Sequence, residues 1–326
     1  MRSTEKPLIG NALEISSKRF ERKMPVERVL GKYSSGFKGP ALIITADILG
    51  NEFSGISAFL KVLDTLTKLN LPIRGEITGL AGNIGASKNK GLLMGLDQNT
   101  SCFTESGFLY NHGENQGYNE AGEFVDLIEE FEKAQHAIIT EIFYLDLKTC
   151  PSIRHPYVCV NKNLHCIHFT ENLPLYTVKG LEDYITDHMG FYLNAKGYIG
   201  CTIKGGPYGP LSSVQIQEAA IWLALVCGGC LEEKEVPNFA LHHKTLNRTR
   251  ESKEATSFEV IYKYTVQEDE FFRMIPGYIN FQKINKGEVL ATSDGGTVLS
   301  EWDGRIFMPL YHTQGQDGFF ILKESG

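Results

Sequence analysis

Apolar positions along this chain follow two periods. The run from Ala41 to Leu49 is mostly apolar and β-branched, interrupted at Thr45 and Asp47, the pattern of a buried strand. Directly after it, Phe53, Ile56, Leu60, Leu63, Leu66 and Leu69 recur at helical spacing and predict a helix from about Glu52 to Leu69. The turn between them, Leu49-Gly50-Asn51-Glu52, falls at the carboxyl end of a core strand, where open α/β sheets place their ligands. Upstream, Val26 to Leu30 with a turn at Ser34-Ser35-Gly36 reads as an edge strand or hairpin ahead of the first core strand. Downstream, Gly75 to Asn83 reads as a second core strand running into a loop rich in Gly, Asn and Ser that extends to about Gly122. Phe124, Leu127, Ile128 and Phe131 predict a helix over 123–135, and Ala137 to Leu147 a buried strand. Then come a strand at Tyr157–Val160, a helix around Leu181 to His188, a strand from Tyr198 ending in a glycine turn at Gly205-Gly206, and an amphipathic helix from about Ser212 to Val226.

That alternation predicts a largely parallel or mixed sheet with helices on both faces. From Leu231 to Ser257 the pattern becomes charged and polar, without caps or sustained periodicity. Beyond it come short β-rich segments: Phe258 to Val266, Tyr278 to Phe281, Glu288 to Leu290, Gly304 to Leu310 and Phe319 to Leu322. Turn signals such as Asp294-Gly295-Gly296 and Asp303-Gly304 separate them. The expected organisation is an α/β domain over 1–245 and a smaller β-rich domain over 246–326.

Composition narrows the classes. At 326 residues, 42% hydrophobic and 22% charged, the chain has the profile of a globular protein of one large and one smaller domain. A net charge of -7 argues against nucleic acid as a partner. The N-terminal Met1 to Pro7 lacks the apolar core of a signal peptide. The longest apolar run, Ala219 to Leu231, is broken by Gly228-Gly229 and too short to span a bilayer. Seven scattered cysteines suit reduced thiols, so a cytoplasmic protein is expected. Cys227-Gly228-Gly229-Cys230 has redox spacing, but its glycines read as a helix stop. Cys159, His165, Cys166 and His168 match no familiar metal spacing. His112-Gly113-Glu114-Asn115 reads as loop, and His242-His243 as surface. No dinucleotide fingerprint or Gly-x-Ser-x-Gly elbow is present.

Gly50-Asn51-Glu52, the strand Arg74 to Asn83, Leu96-Asp97-Gln98-Asn99, Tyr144-Leu145-Asp146-Leu147, Gly205-Gly206, Glu218 to Leu225 and the tail from Gly287 to Leu310 together resemble the succinylglutamate desuccinylase/aspartoacylase family, of zinc-carboxypeptidase-like fold. The resemblance runs from about residue 26 to the end. It implies zinc-dependent hydrolysis of N-acyl amino acids, with zinc held by His-Gly-Asn-Glu and Asp-Leu-His-Thr motifs and a Glu-x-Gly general base. Here Leu49 and Lys148 stand where the two His ligands belong, leaving Glu52 alone of the metal set. Lys204 occupies the general-base position, and Thr100 replaces a carboxylate-binding arginine, while Asp97, Asn99 and Asp146 match.

Leucine cannot ligate zinc, and an ammonium has no lone pair to offer it. The expectation is therefore a degenerate site without zinc or other cofactor. Lys148 and Lys204, with Asn51, Asp97, Asn99 and Asp146, would bind a small anion or carboxylate. The bland alternative is a Glu52–Lys148 pair that merely satisfies an inherited cavity. A lysine of lowered pKa acting as base or nucleophile, a working hydrolase with an unfamiliar metal site, and an interaction protein assembled with itself or an active relative also stay open.

Overall fold

The computed structural model describes residues 27–46, 53–82, 103–104, 107–108, 126–129, 138–149, 155–185, 189–207, 211–248, 256–311 and 317–325. Its core begins where the apolar runs place it. Strands β1 (Val29–Ser34), β2 (Phe37–Ala46) and β3 (Arg74–Ala81) flank helix α1 (Phe53–Leu69). A short hairpin follows, β4 (Phe103–Thr104) with β5 (Gly107–Phe108), then a helical turn at 126–129 within the helix expected there. β6 (Ile139–Lys148), β7 (Tyr157–Val160), helix α2 (Leu164–Thr170), β8 (Tyr176–Lys179), helix α3 (Met189–Ala195), β9 (Ile199–Lys204), helix α4 (Leu211–Cys227) and helix α5 (Phe239–Asn247) complete the α/β region.

β2, β3, β6 and β9 are mutually parallel neighbours, while β1 closes one side antiparallel to β3 and β7 runs antiparallel to β9. Residues alternate across these strands, which gives the sheet two different faces. Leu42, Ile44 and Ala46 of β2, Ile77 of β3, Leu145 and Leu147 of β6 and Ile203 of β9 point to one side. There they pack with Phe59, Val62 and Leu66 of α1 and with Ile221, Trp222 and Leu225 of α4. Each such fully buried side chain contributes about 1.5–3 kcal/mol. α4 is buried almost all round because α1, α5 and the sheet each cover part of it.

The C-terminal region is β-rich and antiparallel. β10 (Ser257–Thr265), β15 (Gly304–Phe307) and β16 (Asp317–Glu324) pair with one another and with β12 (Lys283–Ile284). β11 (Arg273–Met274), β13 (Val289–Ser293) and β14 (Gly296–Leu299) form a separate three-stranded sheet. β10 also pairs in parallel with β8, so a single eleven-stranded sheet, β1-β3-β2-β6-β9-β7-β8-β10-β16-β15-β12, passes from the α/β region into this one. Tyr157, Tyr176, Phe258, Phe281 and Phe307 fill the junction.

Several expectations need correction. The edge strand lies at Val29–Ser34 rather than Val26 to Leu30, because Lys32, Tyr33 and Ser34 continue the ladder with β3. Around Leu181 the described residues make a 3-10 turn, Leu181–Asp183, rather than a helix, and α3 spans Met189–Ala195; residues 186–188 of the expected helix lie outside the described residues. The polar stretch after Leu231 contains α5, which buries little besides Leu246 and so shows no broad apolar stripe. Tyr278 to Phe281 is not a strand: Phe281 adopts φ 68°, in the left-handed region that breaks a ladder. Among the described residues no helix is long and apolar enough to cross a membrane.

Candidate functional site

The sheet face turned away from α1 and α4 is unusual for a core: it is buried and polar. Thr45, Glu76, Thr78, Asp146, Lys148 and Thr202 are all buried there. Register aligns four of its positions in one row across β2, β6, β9 and β7, namely Thr45, Asp146, Thr202 and Cys159. One step further toward the carboxyl ends of the parallel strands, Lys148 and Lys204 are register partners.

Asp146 is fully buried and held from three sides. Thr45 Oγ1 donates to its Oδ1 at 2.8 Å, Thr202 Oγ1 donates to its Oδ2 at 3.3 Å, and Lys148 Nζ lies 3.2 Å from the same Oδ2. A carboxylate taken out of water needs such partners, since an unpaired one would cost several kcal/mol. Lys148 is thus neutralised by the residue two positions before it on its own strand. Lys204 is different. It is half-buried, and among the described residues no carboxylate lies within salt-bridge distance of it.

Gln217 of α4 braces this end of the sheet. Its Nε2 donates to the Lys148 carbonyl at 3.1 Å, and the Gly205 N–H donates to that same oxygen at 2.9 Å. A Cβ at Gly205 would come within 2.4 Å of Gln217 Cγ, and one at Gly55 within 3.2 Å of Gln217 Oε1, so two glycines admit this side chain. Nearby, Tyr144 Oη donates to the Gly190 carbonyl at 3.1 Å, and burial pushes its phenol well above the ordinary value. Burial likewise pushes the Cys159 thiol up to about 12, although Lys204 and Lys148 pull the other way.

Of the residues singled out from the sequence, the structure brings together Asp146, Lys148 and Lys204. Leu49, Asn51, Glu52, Asp97 and Asn99 lie outside the described residues, as does the Glu52–Lys148 pair considered above; the carboxylate described beside Lys148 is Asp146. Thr45, Glu76 and Thr202 were missed. Their signal was parity: Glu76 and Thr78, Asp146 and Lys148, and Thr202 and Lys204 are each spaced by two within otherwise apolar strands, so they share a face.

The other constellations do not assemble. Cys227 ends α4, Gly229 takes φ 79°, and Cys230 N–H donates to Leu225 O at 2.8 Å, a helix stop. Both thiols are free and pushed up to about 12 by burial, which leaves them unreactive. Cys166 is buried in α2 while His165 and His168 of the same helix face outward. His242 stacks on Trp222 at 6.0 Å.

Zinc does not fit the described part of this site. At the end of β6 the available group is a protonated lysine already engaged with Asp146, and it has no lone pair for a metal. No cluster of three or more His, Cys, Asp or Glu side chains suited to a metal occurs among the described residues.

Solved structures similar to this chain include desuccinylases and aspartoacylases. The chain is similar over 89% of its length to succinylglutamate desuccinylase from Vibrio cholerae (TM-score 0.63, 14% identity, 83% of that chain covered). It is similar over the same share to a succinylglutamate desuccinylase/aspartoacylase from Rhodobacter sphaeroides (TM-score 0.61, 14% identity, 87% covered). An aspartoacylase family protein from Mesorhizobium loti gives a TM-score of 0.58 at 15% identity, with 89% of this chain and 87% of that one covered. No protein-family model and no curated protein matches the sequence. What this chain shares with these proteins is therefore the fold.

Proposed function

We propose that this chain is a catalytically degenerate relative of the desuccinylases and aspartoacylases, holding no zinc and binding a small anion or carboxylate at the carboxyl ends of β6 and β9. The observation that carries the reading is the register of Lys148 with Lys204 across those strands, with Lys148 neutralised by Asp146 and no described carboxylate within salt-bridge distance of Lys204. A half-buried ammonium with no carboxylate partner among the described residues favours an anionic ligand, which would supply that charge pairing.

The test is thermal unfolding of the full chain with acetate, succinate and phosphate, compared at equal ionic strength with chloride. A ligand that binds only the folded state raises the midpoint in proportion to its occupancy. At least one of these anions raises the midpoint of the native protein, and Lys204→Met removes the rise. An unchanged response in Lys204→Met would overturn the assignment, and turnover of an N-acyl amino acid by the purified chain would overturn the degenerate reading.

A further inference from the structure

A cavity of about 20 Å³ opens on the polar face, walled by Tyr144, Cys159 and Thr202 from the sheet, by Leu181 and Glu182 from the 3-10 turn and by Ile185 just after it. That is room for about one water-sized group. Glu182 is half-buried there. Its Oε1 accepts the Lys162 N–H at 2.6 Å, but the Lys162 ammonium is taken by Asp183 at 2.8 Å and Glu259 at 2.7 Å. Among the described residues no cation lies within salt-bridge distance of Glu182. Burial raises its carboxyl above the usual range.

The face therefore carries two opposite charges for which no described residue supplies an ion-pair partner, Glu182 at the cavity and Lys204 two residues beyond its Thr202 wall. Both bear on the Cys159 thiol of the cavity wall, which burial raises most: Lys204 lowers its pKa and Glu182 raises it. They do not pair with each other, because Lys204 stands two residues beyond the cavity-lining Thr202, a step of about 7 Å along a strand.

We infer that the ligand is a zwitterion with well-separated charges, an ω-amino carboxylate whose carboxylate meets Lys204 and whose ammonium enters the cavity beside Glu182. This rests on the anion site proposed above and adds a second pole to it. The ammonium is the right size for the cavity, and a ligand of this kind satisfies both charges at once.

The experiment is calorimetric titration of the full chain at neutral pH with 5-aminopentanoate and with pentanoate, which share the chain length and the carboxylate. The aminated ligand binds at least tenfold more tightly. Glu182→Gln brings its affinity down to that of pentanoate and leaves pentanoate unchanged, whereas Lys204→Met weakens both. Equal affinities in the native protein would overturn the two-pole site while leaving the anion site standing. Failure of both ligands to bind would overturn both. If Glu182→Gln does not fold, the comparison of the two ligands on the native protein decides alone.

Discussion

Lys148 reaches back two residues along its own strand to Asp146, and the two form a buried ion pair at 3.2 Å. Their carboxylate is further held by threonines from both neighbouring strands, so the pair ties β2, β6 and β9 together beneath the candidate ligand. Breaking it from one side strands a buried charge.

Asp146→Ala therefore lowers unfolding free energy by about 3–5 kcal/mol, and Lys148→Met by a comparable amount. The double variant loses clearly less than the sum of the two, because it leaves no charge unpaired. Urea unfolding of the four proteins measures this coupling; strict additivity would show that the pair is not a unit.

At Gly205 the backbone passes so close to Gln217 that a methyl group has nowhere to go. Gly205→Ala costs about 1–3 kcal/mol through overpacking. Adding Gln217→Ala restores part of it. The thermal midpoints of the single and double variants test this, and a lower midpoint in the double variant than in Gly205→Ala would refute it.

The pairing of Cys227 with Cys230 follows from helix termination, as the glycines between them indicated, and chemistry agrees. With both thiols raised from the ordinary 9.0 to about 12, neither is a thiolate at neutral or mildly alkaline pH. Alkylation by iodoacetamide at these positions proceeds only after unfolding, as read by mass spectrometry. The stability these thiols contribute is fully present below pH 9.0 and lost as pH rises from there toward about 12, since the folded state retains protons that the unfolded chain releases. Cys227→Ala flattens that alkaline loss.

His242, stacked on Trp222, titrates in the opposite direction. Burial lowers its pKa from 6.5, against the pull of Glu218, whose carboxylate also pairs with Lys61 at 3.5 Å. The unfolded chain takes up this proton first, so stability is full above pH 6.5 and falls as pH drops below it through the folded value. His242→Phe keeps the ring stack and reduces the slope of stability against pH in that window; an unchanged slope would remove His242 from the account.

The parts of the fold that were legible are those where burial and period coincide. β2 ends in an apolar run and α1 shows an apolar stripe at helical spacing, and the strand ends that carry Asp146, Lys148 and Lys204 could be placed by the same patterns. α2 and α5 were not legible because each is short and buries few side chains: Asn163, whose Oδ1 accepts the His165 N–H, was the one local signal for α2. The continuity of the main sheet through β8 and β10 depends on a pairing between Tyr176–Lys179 and Ser257–Glu259. Nothing in either segment alone records it. In the same way Asp146 could be singled out, but its saturation by Thr45 and Thr202 depends on register between strands far apart in sequence.

If lysine charge has replaced metal at this site, elemental analysis of the untagged protein purified from zinc-supplemented culture finds zinc far below stoichiometric, in the native protein and in Glu52→Ala alike. Near-stoichiometric zinc that disappears in Glu52→Ala would contradict that replacement.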